Sequence, residues 1–234
     1  MSSTRTALAI MSVAAMGFSF AAQAATALDA DLASPPGVYF GTGNINGHFA
    51  VETGTIGGVD VELGLRAGLR FLGPVTPQFN SNIYNVPTGT STSPGACAAG
   101  CALWNFEFSV HTSGGTVAGL TALILSWSDS VGGGGHSVTF DPRFIPDNYK
   151  PVGLDNPNGI QNSENLQFFT GIPFNEIFDR NQPETFTFSL TALNGNLAES
   201  ITDTIVVNVV PEPASMALLG LGLAGLAAAR RRRG

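Results

Sequence analysis

The chain has 234 residues, of which 12% are charged and 44% hydrophobic, with 29 glycines and a formal net charge of −7. Five of the ten Lys+Arg lie in the terminal segments (Arg5, Arg230, Arg231, Arg232 and Arg233), so the stretch between carries five cations against sixteen carboxylates, a net of −11. An acidic surface almost free of lysine repels nucleic acid and excludes it as a partner.

The first residues read as an export signal. Arg5 supplies a thin positive start, residues 7–20 an apolar run, and Ala22-Gln23-Ala24 a small-residue cleavage site. The pattern predicts a secretory signal peptide over 1–24, removed after Ala24. Residues 25–209 are then long enough for one domain with a core of its own.

Period-2 alternation runs through that domain. Residues 59–65 place Asp60, Glu62 and Gly64 on one side. Trp104-Asn105-Phe106-Glu107-Phe108-Ser109-Val110-His111 alternates over eight positions and predicts a half-buried strand. Residues 120–127 are more continuously apolar and predict a central strand covered on both faces. Thr185-Phe186-Thr187-Phe188-Ser189-Leu190-Thr191-Ala192 alternates again, and Ile201, Ile205, Val207 and Val209 line one side of the last run. Asn194-Gly195-Asn196 between these two runs suits a hairpin turn. Residues 87–95 and the glycines at 132–135 read as surface loops. No segment between the terminal pieces sustains a helical period, so the expected fold is all-β, an antiparallel sandwich.

Cys97 and Cys101 are the only cysteines. In an exported protein they predict a local disulfide. So short a loop gives it about 2 kcal/mol on the chain-closure estimate. The competing reading is half a zinc site completed by Glu107 and His111. His48, His111 and His136 are scattered along the chain. Asp155-Asn156-Pro157-Asn158-Gly159, with Asp141 and Asp147 nearby, gathers oxygen donors as a calcium loop does. Its spacing departs from the EF-hand, and such sequences also make ordinary turns. No nucleophile elbow, phosphate loop or zinc-protease helix occurs, and no catalytic residue is assigned. The expectation is a noncatalytic protein without a cofactor.

At the C-terminus, Val210-Pro211-Glu212-Pro213 opens into an uncharged run over 214–229, which stops at Arg230-Arg231-Arg232-Arg233. As a helix the run is about 24 Å long, a little short of the roughly 30 Å hydrocarbon core. The arginines orient it with the C-terminus cytoplasmic. Pro211 and Pro213 fix φ and hold the approach extended. This tail, 210–234, resembles the PEP-CTERM sorting tail, also labelled the ice-binding protein C-terminal domain, although nothing in it implies ice. The resemblance implies a substrate of a membrane-embedded exosortase in a Gram-negative bacterium. Such a chain is held transiently in the inner membrane, then processed near Pro-Glu-Pro for the envelope or matrix, in the setting of exopolysaccharide and biofilm. A carbohydrate- or calcium-binding module is the alternative, with Tyr39, Tyr84 or Tyr149 stacking on sugars. A secreted hydrolase ranks third.

Overall fold

The computed structural model describes residues 25–32, 46–91, 97, 100–130, 137–144, 158–168, 179–194 and 199–211. Apart from three single 3-10 turns, every regular element among them is a strand. The first sheet runs β1 (Ala25–Ala30), β2 (Phe49–Ile56), β3 (Val59–Leu69), β8 (Trp104–Ser113), β11 (Gly159–Glu164), with β4 (Gly73–Pro74) on the end of β3. All of its pairings are antiparallel. The second runs β10 (Ser137–Phe140), β9 (Ala122–Asp129), β12 (Glu184–Asn194), β13 (Glu199–Val210), β5 (Ile83–Pro87). A two-stranded patch, β6 (Thr90–Ser91) with β7 (Cys101–Ala102), joins the chain leaving β5 to the chain entering β8.

The inward rows of the two sheets meet in one apolar core. Phe106 of β8 stacks on Phe188 of β12 with centroids 4.7 Å apart, and Trp104 meets Phe186 at 5.5 Å. Such pairs add about 0.5–1.5 kcal/mol each beyond the area they bury. The row predicted for β13 is buried as expected, at Ile201, Ile205, Val207 and Val209. β12 and β13 pair in register from Glu184↔Val209 to Asn194↔Glu199. The turn between them lies outside the described residues.

Three expectations need correction. The sandwich is not wholly antiparallel, because β5 lies parallel to β13, from Val206↔Ile83 to Val210↔Pro87. A parallel neighbour needs a long crossover, and more than a hundred residues separate these two strands, so no local turn signal announces the pairing. β9 is not covered on both faces. Leu123, Leu125 and Trp127 are buried, whereas Ala122, Ile124, Ser126 and Ser128 are half-buried. β8 errs the other way, since Asn105, Glu107 and Ser109 on its outer side are buried too.

No helix among the described residues is long and apolar enough to cross a membrane. The predicted span, 214–229, and the signal peptide with Ala22 and Ala24 lie outside the described residues.

Candidate functional site at the exit of the last strand

β13 is an interior strand. β12 covers one edge as far as Val209 and β5 the other from Val206 to Val210, so the final stretch of the strand is paired on both sides almost to its end. The Thr88 amide donates to the Val210 carbonyl at 2.9 Å. Pro211, which has no amide to continue the ladder, follows at once and is exposed. The proline-bracketed segment therefore begins where the fold stops, with no spacer. Glu212, Pro213 and the arginines at 230–233 lie outside the described residues.

The surroundings of this exit come from the second sheet and the β6–β7 patch. Arg180 accepts from the Gly89 amide at 2.7 Å and donates through Nε to Thr90 Oγ1 at 2.7 Å. Cys97 and Cys101 form the expected disulfide, Cα atoms 5.2 Å apart, and Cys101 pairs with Ser91 across the small patch. The bond consumes the thiolates that a zinc site would need. Glu184, at the start of β12, is buried, and desolvation with the nearby Asp129 and Asp179 pushes its carboxyl up to about 7.

Away from the exit lies a polar network that periodicity did not reveal. Arg66 of β3 is 1% exposed, ion-paired to Glu107 of β8 and stacked 4.2 Å over the Phe49 ring. Ser163 donates to Glu107 at 3.1 Å, Asn105 to Ser163 at 2.9 Å, and Asn165 to Asn105 at 2.8 Å. The signal that could have found it is the outer row of β3, where Gly64 and Gly68 flank Arg66. A Cβ at Gly68 would lie 2.8 Å from Glu107 Oε1, and one at Gly64 would lie 2.5 Å from Leu32 Cδ2. Glycine in a strand marks such close approach.

A second omission is Asp203, which fills the gap in the inward row of β13 and is 3% exposed. Desolvation pushes its carboxyl up to about 8, helped by Glu52, while backbone hydrogen bonds from Thr204 and Leu65 pull it down. Its Oδ2 has no hydrogen-bond partner.

The remaining candidates disperse. Tyr84 is fully buried, its hydroxyl donating to His48 O at 2.7 Å and accepting from Ala50 N at 3.1 Å, so it offers no sugar platform. Tyr39 and Tyr149 lie outside the described residues. His48 meets Asp29 at 2.9 Å. His111 lines a shallow groove of about 380 Å³ with Thr53, Asp60 and Glu62, while Glu107 is taken by Arg66. His136 and most of the 155–159 cluster lie outside the described residues, and Asp141 is paired with Arg143. Among the described residues no group of three or more His, Cys, Asp or Glu is placed to hold a metal ion.

The family model of the PEP-CTERM protein-sorting motif matches residues 209–233. The chain carries a PEP-CTERM sorting motif. The match opens inside β13, so the signal and the fold share their boundary strand. This motif is a substrate signal recognised by exosortase, and it directs secretion through the membrane to the envelope or the extracellular space. No curated protein and no solved structure matches the chain.

Proposed function

We propose that this protein is a noncatalytic component of the envelope or extracellular matrix, in an exopolysaccharide or biofilm setting, delivered there by exosortase processing of its PEP-CTERM tail. The observation that carries the reading is the position of the motif. It starts at Val209, the next-to-last residue of β13, where the strand is paired on both edges, and its first proline is exposed. An extended, accessible peptide held by a rigid body suits a membrane protease or transpeptidase. Cutting beyond Pro211 leaves every pairing of the domain intact.

The tail supplies the other half of the reading. Its uncharged run and four arginines hold the chain in the inner membrane with the domain outward until it is cut. The acidic, lysine-poor body serves solubility outside the cell, and no cofactor enters the proposal.

Replacing both motif prolines, Pro211→Ala with Pro213→Ala, is expected to leave a full-length, membrane-retained protein in the native host. Intact mass of the mature wild-type protein is expected to lack residues 1–24 and the four terminal arginines. Release of the double variant at the wild-type rate would remove Pro-Glu-Pro from the recognition event.

A further inference from the structure

Five large apolar residues are exposed among the described residues, and three of them gather at the end where β13 leaves the domain: Phe71, Leu72 and Val210, at 70%, 81% and 38%. Phe71 and Leu72 form the turn between β3 and β4, and a short path of contacts joins that turn to the exit. The Arg70 amide donates to Leu103 O at 2.8 Å. Leu103 lies so close to Gly89 that a Cβ there would be 2.8 Å from its Cδ1. Thr88, next in the chain, holds Val210. The turn and the exit are thus about three strand spacings apart, on the order of 15 Å.

The turn is built to present its side chains. Phe71 has φ 63°, a left-handed conformation that a bulky residue rarely adopts. The Leu72 amide closes the turn on Leu69 O at 3.0 Å. The Arg70 guanidinium lies 4.6 Å over the Phe71 ring and 5.2 Å from that of Phe168. An apolar tip backed by an arginine that keeps its stem among rings is the composition found at membrane interfaces.

We propose that Phe71 and Leu72 are a bilayer contact that seats the domain on the membrane surface while the tail is still attached. The proposal rests on the reading of residues 214–229 as a membrane span. The four peptide steps from Val210 to Ala214 reach at most about 14 Å, so the exit end cannot stand far from the headgroups. Two apolar side chains alone give marginal, reversible membrane binding. The tether raises their effective concentration enough to matter. Asp129, Asp179 and Glu184 lie at this end together with Arg70 and Arg180, so no excess of cations draws it to anionic lipid, and the attraction is apolar, suits uncharged headgroups and depends little on salt. It orients the domain so that the Pro-Glu-Pro segment lies along the interface, and it lapses once the tail is cut.

The test uses the full-length chain in phosphatidylcholine vesicles with lipids brominated near the headgroup. Leu72→Trp and, separately, Phe71→Trp are compared with Phe144→Trp, whose site is exposed at the opposite end beyond Leu120. Trp104 and Trp127 are buried and give a common background. Quenching several-fold stronger at 71 and 72 than at 144 is expected. Equal quenching in chains that float with the vesicles would overturn the contact and leave the tail reading intact. A blue shift at 72 without bromolipid quenching would overturn it in favour of contact between copies. Failure of the chain to float would overturn the tail reading, and the contact with it.

Discussion

The two sheets carry the same period-2 alternation and treat their outer rows in opposite ways. In the second sheet many of the outward side chains are half-buried or exposed hydroxyls and amides that bond across strands. Thr185 meets Asn208 at 3.0 Å, Ser189 meets Thr204 at 3.1 Å and Thr191 meets Thr202 at 2.9 Å. In the first sheet the middle of the outward face is sealed. Arg66, Glu107, Asn105, Ser109 and Gln161 are all buried, and Gln161 donates to Ser109 at 2.9 Å. Alternation alone sets which side a residue faces. Whether that side meets water depends on what else the chain lays over it, here Leu32 against Gly64 with Phe49 and Val51.

The contrast breaks most sharply at the ion pair. Arg66→Ala leaves the Glu107 carboxylate buried without its cation and strips the Gly47 carbonyl of a donor. Removing one partner of such a pair costs about 3–5 kcal/mol, a fall in Tm on the order of 10 °C for a domain of this size. Calorimetry of the single variant checks this. Arg66→Met combined with Glu107→Leu is expected to lose clearly less than Arg66→Ala, because no uncompensated charge remains. Should the double replacement be the worse of the two, the network is holding the sheet by geometry rather than by satisfied charge.

Asp203 sharpens the comparison from the other side, as a carboxyl in the core row of the second sheet with no network to absorb it. Its proton is held up to about pH 8 in the fold, against an ordinary 3.8 in the unfolded chain. Between those values the folded protein binds the extra proton. Stability from this group is therefore complete below about pH 4 and declines by about 1.4 kcal/mol per pH unit as pH rises towards 8. Glu164 and Glu184, both pushed up to about 7, act in the same direction. Asp203→Asn is expected to flatten the urea-midpoint profile between pH 5 and 8 and to exceed the wild type at the alkaline end. Parallel profiles would show that water reaches the carboxylate and satisfies its charge.

Most of the strand content was legible because core rows announce themselves. Trp104, Phe106 and Phe108, and Phe186, Phe188 and Leu190, leave no other face to bury. The exit site was legible in part for a different reason. A sorting tail is a linear signal, and Pro211 reads the same in or out of a fold. What the sequence could not convey is what packs from afar. The parallel seat of β5 beside β13 depends on a crossover of over a hundred residues. The burial of Glu107 depends on Arg66, forty-one residues away. Tyr84 looked like a surface aromatic because its partners, the backbone of His48 and Ala50, leave no mark on side-chain pattern. Two clues were present and unread: glycines bracketing Arg66, and a carboxyl interrupting the apolar row at 203.

The smallest expected effect is also the cleanest control. Thr191 and Thr202 form an exposed cross-strand pair on the second sheet. A hydroxyl pair of this kind contributes a few tenths of a kcal/mol, and water replaces the lost partner at little cost. Thr191→Ala is therefore expected to shift stability by about 0.5 kcal/mol or less, roughly a tenth of the Arg66→Ala effect, although both residues sit on outward rows of central strands. Chemical denaturation of the two variants side by side measures that ratio directly. A loss above about 1.5 kcal/mol at Thr191 would mean that its face is covered as well, and the asymmetry between the sheets would no longer explain where polar side chains matter to this fold.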